Sequence, residues 1–260
     1  MSEADESPAA LSVHDLKVVY GSQVAVAGIA LRIEHGEIFG LLGPNGAGKT
    51  STLSAIEGLV APRSGEIRIN GVDARRDPVS AKAHMGVQLQ SSSFQPELSI
   101  EQIARLFGGL YGVRLSRAQI SAHLREIGLD QESGKRFKQL SGGQQQRLAL
   151  YIATIHDPTL LLLDEPTAGL DPQSRRALWR RIEGLRRAGS SILLTTHSME
   201  EAQAVCDRVA IIDHGAVLTV GTPADLIAMH REDPRVLEVS HGDVTLEDVF
   251  IGLTGSDIRD

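Results

Sequence analysis

Eight consecutive residues, Gly43-Pro44-Asn45-Gly46-Ala47-Gly48-Lys49-Thr50, restrict this chain more than any other segment. A short apolar run, Glu37 to Leu42, leads into them. Lys49 to Gly58 follows with helical spacing that puts Leu53 and Ile56 on one face. Strand, glycine loop and helix in that order is the spacing of a phosphate-binding P-loop. The glycines let the backbone wrap closely, so that several N–H groups converge on one anion. The helix start adds its positive dipole end. In this reading Lys49 reaches the outer phosphates of a nucleotide, the Thr50 hydroxyl ligates Mg²⁺, and Ser51 stands behind it. A glycine-rich turn with a chance lysine is the plainer alternative. The complete spacing and the flanking elements argue against it.

A second motif fits the first. Leu160-Leu161-Leu162-Leu163 reads as a buried strand, and Asp164-Glu165 lies just past its end. Open α/β sheets bind ligands at the carboxyl ends of their strands. Asp164 is therefore the expected Mg²⁺ partner, and Glu165 the expected general base on the attacking water. A polar loop opening on Asp-Glu-Pro would be the ordinary reading without the glycine loop beside it.

The rest of the chain alternates. Leu11 to Gly36 carries β-like patches, and Gly65 to Asn70 is a further strand. Ile100, Ile103, Phe107 and Leu110 have helical spacing, as do Ile120, Leu124 and Ile127 behind a Ser116–Gln119 capping box. Residues 94–157 thus read as a helical insertion in an α/β domain. The pattern then resumes with a helix from Pro172 (Leu178, Ile182 and Leu185 inward), a strand at Ser191 to Thr196, a helix at Met199 to Cys206 and strands at Val209 to Ile212 and Ala216 to Val220. This order predicts a largely parallel, helix-covered sheet. The polar first ten residues, MSEADESPAA, read as a disordered lead-in without the apolar stretch of a secretory signal.

Composition removes several classes of function. Net charge is −7 and aromatics are 3%, so neither a basic grip on nucleic acid nor a stacking platform for single strands is expected. Cys206 is the single cysteine, so no intrachain disulfide forms. No run of roughly 18 apolar residues occurs, and a membrane role is expected to come through a partner. Arginines 175, 176, 180, 181, 186 and 187 flank apolar helix positions and read as a solvated face, with Trp179 as a packing residue.

Leu140-Ser141-Gly142-Gly143-Gln144, upstream of the acidic strand, narrows the field. It resembles the signature of the ABC ATPase family, and Ser141 with Gln144 also has capping-box spacing. The resemblance implies that Ser141, Gly142, Gly143 and Gln144 contact the γ-phosphate of ATP held by a second subunit. It implies that Tyr20 stacks on adenine, that His197 holds the γ-phosphate and water, and that Ala168-Gly169-Leu170-Asp171 is the loop between subunits. It places the Mg²⁺-sensing glutamine at Gln90, with Leu89 where the family usually has proline, so Gln88 is a competing register. The similarity runs from Leu11 to Leu226, with residues 227–260 as a short C-terminal extension. The implied fold is α/β, a P-loop NTPase of ABC type: a mixed, mainly parallel sheet core, an antiparallel β region and an inserted helical subdomain.

The resemblance further implies an ATPase using ATP and Mg²⁺, a second ATPase subunit arranged head-to-tail, and a separate transmembrane permease on whose cytoplasmic side the chain works. Thr195 to Ala202 and Thr245 to Phe250 look like bacterial drug- and polyketide-exporter ATPases. Longer relatives carry a small domain before that tail, for which only Met229 to Asp243 is available here. Two other readings compete: a soluble ABC-type ATPase acting on ribosomes or DNA, and a non-hydrolysing regulatory module. The presence of both Glu165 and His197 speaks against the second.

Overall fold

The computed structural model describes residues 8–88 and 94–255. Gln90 therefore lies outside the described residues. In chain order the elements are β1 (Leu11–Tyr20), β2 (Gln23–Ile33), β3 (Ile38–Leu42), α1 (Lys49–Ile56), β4 (Ser64–Ile69), β5 (Val72–Asp73), α2 (Pro78–Ala83) and β6 (Met85–Gln88). A helical stretch follows with α3 (Ile100–Leu110), α4 (Arg117–Glu126) and α5 (Gly142–Ala153). Then come β7 (Leu160–Asp164), α6 (Pro172–Arg187), β8 (Ser191–Thr196), α7 (Met199–Val205), β9 (Arg208–Asp213), β10 (Ala216–Gly221), α8 (Pro223–His230), α9 (Pro234–Val239) and α10 (Leu246–Thr254).

Two sheets form. Strands β2-β1-β4-β5 make an antiparallel sheet. Strands β10-β9-β3-β8-β7-β6 make a second, parallel except for β10 at its edge. The parallel strands are covered on both faces, and their side chains alternate between two cores. In β7, Leu160 and Leu162 enter the core that holds α1 and the antiparallel sheet, with Leu53, Ile56 and Ile67. Leu161 and Leu163 enter the opposite core, with Leu178 and Ile182 of α6. This two-faced burial explains why four leucines precede Asp164 in β7. A third core holds the helical layer, with Ile100, Ile103, Ile120, Leu124 and Leu148.

Helix starts follow their caps. Ser116 and Ser141 each close a capping box with the glutamine three residues on, and so does Ser99 with Gln102. Two boundaries differ from the expectation. Ala9 and Ala10 are already buried, and the Ala10 carbonyl accepts the Asn70 N–H at 3.0 Å, so the packed chain begins before Leu11. At the other end Leu246, Val249 and Phe250 of α10 are buried in the core shared with α6, so the described part of the C-terminal extension contributes to the domain's packing. Among the described residues, no helix is long and apolar enough to cross a membrane.

Candidate functional site

Strand register assembles the site. Leu42 at the end of β3 lies beside Thr196 at the end of β8, and Asp164 at the end of β7 lies beside Thr195. Adjacent strands are about 4.8 Å apart. The loop after β3, the acidic pair after β7 and His197 after β8 therefore share one carboxyl edge.

Residues 43–50 form a tight cradle ahead of α1. Gly46 and Gly48 have φ of +84° and +106°, in the left-handed region that favours glycine. A Cβ on Gly48 would lie 2.5 Å from the Ala25 carbonyl oxygen, and one on Gly43 would lie 2.5 Å from that of Ile212. The loop is thus clamped between β2 and β9, where no side chain fits. The Gly215 N–H donates to the Ala47 carbonyl at 2.9 Å, and the Ala27 N–H to the Gly215 carbonyl at 2.8 Å. Pro44 is half-buried, Asn45 and Gly46 are exposed at the loop tip, and Ala47 is buried beneath it.

Lys49 is buried, and its Nζ donates to the Gly43 and Pro44 carbonyls at 2.6 and 3.1 Å. Burial pulls its pKa below the ordinary lysine value, while the carboxylates of Glu165 and Asp164 oppose that pull. Thr50 is exposed and Ser51 half-buried at the helix start.

Asp164 is buried and accepts the Thr195 hydroxyl at 2.6 Å. The same Thr195 oxygen accepts the Glu165 N–H at 2.9 Å, so one threonine orients both acidic positions. Glu165 has φ of +44°, a conformation costing a non-glycine residue about 1–2 kcal/mol. His197 is 53% exposed, with Nδ1 3.6 Å from Glu165 Oε1.

The remaining residues stand around this centre. Tyr20 lies at the hairpin end of β1, 47% exposed. Gln88 is buried at the end of β6, and its Nε2 donates to Gln146 Oε1 of α5 at 2.5 Å. Ser141 and Gly142 are exposed, and Gly143 and Gln144 half-buried, at the start of α5. The Gln144 side chain accepts the Ser141 N–H at 2.9 Å and donates to Glu132. Asp171 caps α6, accepting the Gln173 and Ser174 N–H groups at 3.0 Å. Its bonds to Ser174 hold its carboxyl below the usual range. Lys49, Asp164, Glu165 and His197 are thus gathered at one edge. Ser141 to Gln144 belong to the helical layer, and among the described residues no hydrogen bond joins them to residues 43–50.

A model of the ABC transporter family matches residues 26–168. The chain belongs to the ABC transporter family. It is 40% identical over 222 residues to the Nod factor export ATP-binding protein I of Paraburkholderia xenovorans (strain LB400), covering 85% of this chain and 73% of that protein. It is 37% identical over 218 residues to the linearmycin resistance ATP-binding protein LnrL of Bacillus subtilis (strain 168), covering 83% and 70%. A solved ATP-binding subunit of an ABC transporter superposes with a TM-score of 0.80 at 30% identity, over 94% of this chain and 98% of that one.

The chain is accordingly the ATP-hydrolysing, ATP-binding subunit of an ABC transporter, with ATP and Mg²⁺ as its nucleotide and metal. The α/β fold with its mixed sheet is that of the family's ATPase domains. Its local features suit both groups. Gly43 and Gly48 let the loop pass close to the backbone of β9 and β2 in a turn that suits converging backbone N–H groups, and the acidic pair supplies hard oxygen donors.

Thr195, Thr196, Thr167 and Glu201 escaped the sequence reading. The only signal was a pair of threonines ending the apolar strand Ser191–Thr196, where polar side chains at a strand's carboxyl end mark contact with a site.

Proposed function

We propose that two copies of this chain close head-to-tail around two ATP molecules and drive a separate membrane permease that exports a small hydrophobic or drug-like compound. The observation that carries the dimer is the separation of Ser141–Gln144 from residues 43–50. An exposed helix start, capped by Ser141, presents N–H groups and a positive dipole outward, where the nucleotide of a second copy completes the site. The names of the relatives, a Nod factor export protein and a linearmycin resistance protein, support export over import. The permease places the chain on the cytoplasmic face of the membrane, as a peripheral subunit.

Roles follow from position. The N–H groups of residues 43–50 and the Lys49 ammonium bind and orient the phosphate chain. Tyr20 packs on the adenine. Thr50, Asp164 and the glutamine expected at Gln90 hold Mg²⁺, with Ser51 behind Thr50. When bound, Mg²⁺ neutralises charge developing on the phosphate oxygens. Glu165 orients the attacking water and accepts its proton, and His197 hydrogen-bonds the γ-phosphate. Asp171 fixes the start of α6 and, through it, the loop between subunits.

Purification of the chain from gently solubilised membranes of its host tests the transport reading. A multi-spanning membrane protein in stoichiometric amount is the expected result. Recovery only with ribosomes, DNA or no partner contradicts it.

A further inference from the structure

Behind the edge that carries Glu165 and His197 lies a buried carboxylate with no assigned role, Glu201 of α7. Its Oε2 accepts the Thr167 hydroxyl at 2.7 Å and the Thr196 hydroxyl at 3.2 Å. Its Oε1 lies 3.2 Å from Nε of Arg175. That Nε–H is buried without a well-directed hydrogen bond, so the Arg175 contact is one of charge. Each partner comes from a different segment. Thr167 is two residues past Glu165, Thr196 immediately precedes His197, and Arg175 is in the first turn of α6, whose cap is Asp171. Thr196 is itself fixed twice, because its hydroxyl oxygen also accepts the Ser198 N–H at 3.0 Å.

We infer that Glu201 is a positioning residue for ATP hydrolysis: it ties the segment carrying Glu165 to the segment carrying His197, and so sets the distance between the general base and the γ-phosphate contact. The inference rests on the roles proposed for Glu165 and His197. Among the described residues the two segments also meet through the β7–β8 ladder and Thr195, which hold them at the strand ends, and through the 3.6 Å approach of His197 to Glu165. Beyond the strand ends the chain turns, and Glu165 is in the left-handed region. There Glu201 accepts from both sides at once. A buried carboxylate without its hydrogen-bond donors is costly, so the three segments are held together rather than merely adjacent. Misplacement of a reacting group by about 1 Å costs on the order of a hundredfold in rate, which makes such a tie a lever on turnover rather than on binding.

The test compares hydroxyl-free with hydroxyl-bearing variants of the full chain: T167V and T196V against T167S and T196S, with E201A and the double variant T167V/E201A. Phosphate release gives kcat and KM, displacement of a fluorescent nucleotide gives ATP affinity, and thermal unfolding reports on folding. Each valine variant is expected to lose about tenfold in kcat with KM and ATP affinity within about twofold, and each serine variant to keep most of the rate. The double variant is expected to fall no further than E201A alone, since T167V removes only a hydrogen bond that E201A already breaks. Valine variants that turn over at the parental rate, or that lose rate only as their folded fraction falls, overturn the inference. So does full additivity. E165Q separates the levels: if it is inactive while the valine variants are normal, the positioning role alone fails. If E165Q hydrolyses ATP normally, the assignment of Glu165 fails and the positioning role with it.

Discussion

At the scale of single residues, Glu57 shows how its surroundings decide the state of a buried acid. Asp164 receives the Thr195 hydroxyl and lies near Lys49. Glu57, at the end of α1, is 5% exposed, and its Oε2 has no hydrogen-bond partner among the described residues. It borders a cavity of about 250 Å³ lined by Val60, Ile67, Ala74 and Pro78. Burial, and then the charge of Asp164, push its carboxyl from the ordinary 4.5 up to about 7, against a smaller opposing pull from Lys82. Ionisation of Glu57 therefore costs more in the folded chain than in the unfolded one. The protonated acid is tolerated below about 4.5, and stability is lost as pH rises towards about 7. Glu57→Gln removes that loss. Unfolding measured from pH 4 to pH 8 should show the variant level with the parent in acid. At pH 8 it should be more stable by about 1–2 kcal/mol, a figure discounted for the solvent that still reaches the cavity. Equal stability at pH 8 contradicts this assignment. The shared placement of Lys49, Asp164 and Glu165 was legible from motif spacing, and that of His197 from the family resemblance. Glu57 and Glu201 were not, because an acid near a helix end ordinarily faces water, and only the packing of distant segments buries these two.

At the scale of elements, period and capping carried the reading. Four leucines before Asp164 predict a strand covered on both faces, and the structure divides them between two cores. Ser116–Gln119 and Ser141–Gln144 mark helix starts that the structure places at those residues. The Ser99–Gln102 box was overlooked, although it has the same spacing. The tail was harder to read. Leu246, Val249 and Phe250 show a helical face, but what covers that face is set by the position of α7, α8 and α9, which no local pattern reports. Phe250 is 1% exposed, so Phe250→Ala should cost about 3–5 kcal/mol and lower the thermal midpoint by on the order of 10 °C. A midpoint within about 2 °C of the parent would show that α10 is an appendage rather than part of the core.

At the scale of the whole molecule, three cores hold two sheets and a helical layer, with Asp164 and the loop after β3 at the carboxyl edge of the parallel sheet. Ser141 and Gly142, at the start of the helical layer's α5, are exposed. In the proposed function a single copy binds ATP through residues 43–50, and Ser141–Gln144 of a second copy close the site. On that proposal, hydrolysis of the γ-phosphate removes the bridge between the copies and reopens the pair, a two-state change for a permease to use. The measurement that tests this most directly is the solution mass of E165Q with ATP and Mg²⁺, with ADP and Mg²⁺, and with ATP and excess chelator. With ATP and Mg²⁺ the mass should be twice the chain's 27.9 kDa, and with ADP it should return to one copy. A mass that stays at one copy with ATP, or a dimer that forms equally with ADP, contradicts a site completed across two subunits.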